Sequence, residues 1–164
     1  KKITLYEYSK TRETNSVKEI LDGYKKVITV DGYLGYDAIC TDGIVRQACM
    51  VHTRREFANI TKALKGVQLK TSKAYSIVKI FDQLFAKEAT FKKDKLSPDQ
   101  IVNARNSKEY LEIVEKLKNE IESLNPLPGC ELEKAKKYWM NLGEDKWTFL
   151  KNGRVEIDNN EAER

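Results

Sequence analysis

Between residues 67 and 124 no stretch alternates apolar and polar side chains as a half-buried strand does, while apolar residues recur every third or fourth position. This constrains the fold more than any other feature, because a block of that length without strands has to pack as helices. "AYSIVKIFDQLF" places Ala74, Ile77, Val78, Phe81, Leu84 and Phe85 on one helical face. "NSKEYLEIVEKLKNEIESL" does the same with Tyr110, Ile113, Val114, Leu117, Ile121 and Leu124. The two stripes predict an inward-facing bundle. Between them "SPDQ" predicts a helix opening, with Ser97 as cap, Pro98 at the first helical position and Gln100 at the third. Asn106, with Glu109 three residues later, predicts the cap of the next helix. "NPLPG" (125–129) reads as a rigid linker, followed by helix through "ELEKAKKYWMNLG" and a short one through Trp147, Phe149 and Leu150 to Gly153.

The first 66 residues read differently. "ITLYEY" (3–8) alternates like a strand, and "NSVKEILDGY" (15–24) reads as a short helix with Asn15 or Ser16 as cap and Gly23 as stop. "KKVITVDG" (25–32) is a β-branched run closed by Asp-Gly and is the best buried-strand candidate in the chain. "YDAICTDG" suggests a short helix ended by Gly43, "IVRQACMV" (44–51) a second strand, and 52–64 a helix with Phe57, Ile60, Thr61 and Leu64 on one side. The expectation is a mixed α/β fold carrying an all-helical insertion, divided as 1–66, 67–130 and 131–164.

Composition narrows the function classes. The 164-residue chain has no apolar run near the roughly 18 residues a membrane span needs. Its charged start, "KKITLYEYSK", is no signal peptide and lacks Met, so a fragment is expected. Three cysteines without a secretory signal predict a reduced, cytoplasmic setting. The net charge of +5 lies mainly in the first third (+4 over 1–66, +2 over 67–130, −1 over 131–164), which permits a nucleic-acid partner without requiring one. With no Gly-rich phosphate loop, one His and no Ser elbow, phosphate-loop enzymes and triad hydrolases drop out.

Three places could carry chemistry. Asp31 ends the strand candidate, where open α/β sheets usually keep reactive groups, although by itself an Asp-Gly turn is the simpler explanation. The closing "RVEIDNNEAER" places Asn160 as a helix cap and Glu163 at the third helical position. A carboxylate there could share a hard cation with Asp31. "CMVHTRREF" (49–57) holds Cys49, His52, Arg54 and Arg55. The arginines face solvent or phosphate, and His52 caps the helix or makes a polar contact. A Cys₃His zinc site would need Cys40, Cys49, Cys130 and His52 together, without the paired C-x-x-C half-sites usual for zinc.

Taken together, "VITVDGYLGYDAI", "CMVHTRREF" and "GRVEIDNNEAER" resemble the transposases of the insertion-sequence-66 family, which show the same three blocks in the same order around a helical stretch. The resemblance covers essentially the whole chain. It implies the DDE class, with an RNase H-like core that is incomplete here at its N-terminus and a helical insertion before the last acid. On it, Asp31 matches the second catalytic aspartate and Glu163 the final glutamate. Both would be ligands of Mg²⁺ or Mn²⁺, two ions in the full-length enzyme. Glu161 matches a variable position and, two residues from Glu163 on a helix, faces nearly the opposite way.

The resemblance further implies that His52, Arg54, Arg55 and Arg164 face DNA. Nothing before Asp31 matches the family's first aspartate block, so that acid is expected upstream and the fragment alone is expected to be inactive. The implied partners are double-stranded DNA, as element ends and target, and further copies of the chain in the active complex. No membrane is implied, and the setting would be the bacterial cytoplasm at the nucleoid. Two rival readings share these residues: another RNase H-like nuclease such as a resolvase, or a catalytically dead DNA-binding module derived from a transposase.

Overall fold

A computed structural model describes residues 14–32, 36, 39, 40 and 43–160. The expected strand at 3–8, half of the expected helix at 36–43 and the closing acids Glu161 and Glu163 fall outside them. Helix α1 (Thr14–Ile20) begins ahead of both Asn15 and Ser16, so neither is its N-cap. Gly23, at φ +72°, turns the chain into strand β1 (Val27–Val30). Strand β2 (Val45–Ala48) pairs with β1 in parallel, Val27 opposite Val45 through Val30 opposite Ala48. It is shorter than the run 44–51 suggested, because Met50 already opens helix α2 (Met50–Thr61). Helices α3 (Gly66–Thr71), α4 (Lys73–Lys93), α5 (Pro98–Arg105), α6 (Lys108–Glu122) and α7 (Glu131–Asn141) follow, and a 3₁₀ helix runs over Gly143–Lys151. The described part is thus a mixed fold, mainly helical, around a small parallel sheet. No helix in it is long and apolar enough to cross a membrane.

Among the described residues, the second edge of β2 is covered by side-chain bonds with the 3₁₀ helix rather than by a third strand. Gln47, fully buried, accepts from the Phe149 amide at 2.6 Å and donates to the Lys146 carbonyl at 3.3 Å. Thr148 donates its hydroxyl to the Arg46 carbonyl at 2.7 Å. The last of these meets a β2 carbonyl that an open edge would leave to solvent or to another chain.

The helical stripes face inward as their spacing predicts. Ala74, Ile77, Val78, Phe81 and Leu84 of α4 and Tyr110, Val114, Leu117 and Ile121 of α6 are all buried. They do not close on each other alone. Helix α4 packs on α6 and also on α2, α2 packs on α7, and one core runs from Met50 to Ile157. Phe81 links the faces, 6.4 Å from Phe57 and 6.4 Å edge-on to Trp139.

The Ser97 capping box forms fully: Ser97 accepts from the Gln100 amide at 3.3 Å, and Gln100 accepts from the Ser97 amide at 2.8 Å. The next cap lies one residue beyond the expected Asn106. Ser107 accepts from the Tyr110 amide at 3.4 Å, while Asn106 ends α5 and donates its side-chain amide to the Val102 carbonyl at 2.8 Å. A hydroxyl on a short stem reaches the third amide of α6, and the Asn side chain does more by closing α5.

Candidate active site

The sheet brings three of the sequence blocks to one corner. The Cys49 amide donates to the Val30 carbonyl at 2.8 Å, extending the β1–β2 ladder by one bond. The next amide, Met50, donates to the Ile157 carbonyl at 3.0 Å. Consecutive residues at the start of α2 therefore hold the strand that delivers Asp31 and the segment 157–160 that leads toward Glu163. Both strand ends point to this corner, which is where parallel α/β sheets keep their ligands.

Asp31 is half-buried just past β1. Its carbonyl accepts from Nη2 of Arg46 at 3.0 Å, and Arg46 is itself 4% exposed, so the turn is fixed from inside the fold. Tyr138 of α7 lies against the next residue: a Cβ on Gly32 would meet its hydroxyl oxygen at 2.3 Å. Burial first, then the negative charges of Asp31 and Glu56, push the Tyr138 phenol up to about 12, with the Gly32 amide acting in the opposite direction.

Cys49 is 1% exposed, and its thiol is pushed up by burial against the pull of nearby amides of His52, Asn159 and Val51; Asp158 adds to the rise. Burial of this kind disfavours the thiolate, the nucleophilic form of cysteine. Cys130 opens α7 as its N-cap. Among the described residues no group of three His, Cys, Asp or Glu is gathered to hold a metal. Asp158 accepts from the Asn160 amide at 3.0 Å, a tight turn immediately before the residues expected to open the last helix.

The other expected site residues are distributed as follows. His52 is half-buried in the first turn of α2, and Arg55 is exposed on the same helix. Arg54 is turned to α4, where Nε and Nη2 both donate to Oδ1 of Asp82 at 2.9 and 2.7 Å. It lines a cleft of about 390 Å³ that also includes Lys92, Asp158 and Asn160, with Val51 and Phe85 as apolar wall. Glu161, Glu163 and Arg164 lie outside the described residues, and so does the separation between Asp31 and Glu163.

Residue reading missed a buried hub that holds the segment leading into this corner. Arg105 donates to both oxygens of Glu88, at 2.9 and 2.6 Å, and Tyr110 donates to Oε1 of Glu88 at 2.5 Å. Nη1 of Arg105 then reaches the Phe149 carbonyl at 2.7 Å and that of Asn152 at 3.2 Å. Farther along, Lys92 pairs with Glu156 at 2.5 Å, and Gly153 sits so close to α5 that a Cβ there would be 1.9 Å from the Pro98 carbonyl oxygen. With Asn106 also donating to the Leu150 carbonyl at 3.2 Å, the helical block grips residues 149–156 along their length. One signal existed: a tyrosine within a buried stripe needs a buried partner for its hydroxyl.

The model of the family described as "Transposase IS66 family" matches residues 1–164. The chain is also 26% identical over 170 residues to "Uncharacterized protein y4jD" of Sinorhizobium fredii (strain NBRC 101917 / NGR234), covering 97% of this chain and 31% of that protein. It therefore spans about a third of the curated relative's length. No solved structure matches.

Proposed function

Because the chain belongs to the Transposase IS66 family, we propose that it supplies part of a DDE-type catalytic domain, an RNase H-like core interrupted by the helical block 67–130. The observation that carries this is the pair of consecutive amides, Cys49 and Met50, that ties the Asp31 strand to the segment running toward Glu163. Two adjacent hydrogen bonds hold at one corner the strand that ends at Asp31 and the segment 157–160 that precedes Glu163 in the sequence.

The donor chemistry of that corner fits a hard cation. The acids that would serve it are carboxylates, the oxygen donors such a cation prefers. Asp31 and Glu163 would hold Mg²⁺ or Mn²⁺. When bound, a pair of such ions activates an attacking oxygen and stabilises a leaving one in phosphodiester chemistry. The chain's own part is positional. Arg46 fixes the backbone of Asp31, and the Glu88–Arg105 hub fixes the approach to Glu163. Arg55 offers an exposed guanidinium to DNA phosphate, with His52 beside it on the first turn of α2 and Arg164 next to Glu163. Arg54 contributes only by leaving Asp82. The reaction is hydrolysis at element ends, followed by in-line attack of the freed 3′-OH on target DNA. It is carried out at the nucleoid by an assembly of several copies.

The test uses the full-length protein and element-end DNA. Asp31→Asn and Glu163→Gln are each expected to abolish cleavage without moving the melt, and Glu161→Gln to do little. An active Glu163→Gln with a dead Glu161→Gln would mean that the acid has been placed two residues off. Joining of cleaved ends to a second duplex separates a transposase from a nuclease that stops at hydrolysis.

A further inference from the structure

The turn after β1 is built around a missing side chain. A Cβ on Gly32 would stand 2.3 Å from the Tyr138 hydroxyl oxygen and 2.4 Å from two of its ring carbons, so no larger residue fits while the ring is there. The ring is half-buried, and the helix that carries it is anchored on both sides. The next residue, Trp139, is fully buried and packs edge-on to Phe81 at 6.4 Å and to Trp147 at 5.4 Å. Two residues before Tyr138, Lys136 donates to the carbonyls of Glu122 and Leu124 at 2.8 and 2.7 Å, tying α7 to the end of α6. On the strand side Arg46 holds the Asp31 carbonyl. The Asp31–Gly32 unit is therefore gripped at its carbonyl by β2 and at its glycine by α7.

We infer that Tyr138 is a positioning residue for Asp31: its ring, admitted by the bare Cα of Gly32, sets the direction in which the Asp31 carboxylate leaves the strand. This rests on the proposed metal role of Asp31, and none of the three sequence blocks includes Tyr138. It gives α7 a task beyond packing. A carboxylate serving an ion must be held within about 0.5 Å and 10–20° of its working geometry, and that precision comes from the residues behind it. Removing such a supporting partner typically weakens metal affinity or activity by about 10–100-fold.

The experiment reads Mn²⁺ binding by calorimetry, Mn²⁺-dependent cleavage and thermal melts in the full-length protein. Asp31→Asn comes first and separates the two claims. Lost Mn²⁺ binding with an unchanged melt upholds the role of Asp31; undiminished binding overturns that role and this inference with it. Tyr138→Ala is then expected to weaken Mn²⁺ binding and lower kcat about tenfold with KM for DNA unchanged, and Tyr138→Phe, which keeps the ring, to recover most of both. Gly32→Ala should be as damaging, and adding Tyr138→Ala to it should cost little more, because the two changes break one contact. Tyr138→Leu, which keeps bulk without the flat ring, replaces Tyr138→Ala if that variant does not fold, with the same expected losses. Mn²⁺ affinity and kcat within about twofold of wild type in the alanine or leucine variant, whatever the melt does, overturn the inference. Full additivity of the Gly32 and Tyr138 losses overturns it too.

Discussion

Tyr110 and Tyr138 both stand beside carboxylates, in surroundings of opposite kinds. At Tyr110 the acid is Glu88, 5% exposed, with a guanidinium across both oxygens and the phenol on one of them. Burial and the Glu88 charge push the Tyr110 phenol far above its ordinary range. At Tyr138 the acid is Asp31, half-buried at a strand end, and the phenol is raised less. An acid saturated by buried donors cannot turn to a ligand without dismantling the core around it. An acid at a half-buried strand end can exchange its partners for an ion. The same two functional groups thus make a joint in one place and the edge of the proposed site in the other, and burial sets the two apart.

Breaking the joint should have the largest effect. Arg105→Ala leaves Glu88 charged, buried and without its main partner, and is expected to destabilise the fold by about 3–5 kcal/mol in denaturant melts. A cost near that of a surface pair would show that water reaches Glu88 and that the contrast with Asp31 is false. Leu117→Ala, in the fully buried stripe of α6, follows at about 2–5 kcal/mol; a loss under about half a kcal/mol would place the stripe outside the core. Tyr110→Phe removes only the hydroxyl on Glu88 and is expected to cost about 1.5–3 kcal/mol, the range for a hydrogen bond to a charged group.

Smaller effects sharpen the comparison from the open side. The Arg54–Asp82 pair has the same chemistry as Arg105–Glu88 but is 34% and 39% exposed, so Arg54→Ala should cost at most about 1 kcal/mol and less in high salt. Paired change of Arg54 and Arg55 to Ala should weaken DNA binding across all sequences alike and reduce its salt dependence. For Tyr138 the folded phenol ionises later than the unfolded one. Its contribution to stability is therefore complete below pH 10 and lost as pH rises from 10 through about 12. Tyr138→Phe should flatten that part of the pH–stability curve, with the tyrosinate absorbance in a pH titration as the check.

Local chemistry was legible in the residues themselves. Ser97 and Gln100 are three positions apart, and a capping box needs nothing beyond that spacing. The stripes of α4 and α6 could be read because helical periodicity alone decides which side chains share a face. Asp31 at a strand end followed from a β-branched run stopped by Asp-Gly. Boundaries were read less well: Ser107 rather than Asn106 caps α6, and the second strand stops at Ala48 rather than at 51.

What only the tertiary structure decided is which distant groups meet. Arg46 and Gln47 read as ordinary polar residues of a short strand, yet both are buried, because the 3₁₀ helix closes over β2 and Gln47 bonds to residues 99 and 102 positions away. Glu88 and Arg105, 17 positions apart on different helices, look like surface charges until Tyr110 and the Phe149 carbonyl surround them. Arg54 looked available to phosphate until α4 brought Asp82 beside it. The contact of Tyr138 with Gly32 has no local signature, since a glycine after a strand and a tyrosine on an amphipathic helix are each unremarkable alone. Periodicity fixes the face a helix buries, but the partner set against that face depends on how the loops between elements close, and no short-range pattern encodes that closure.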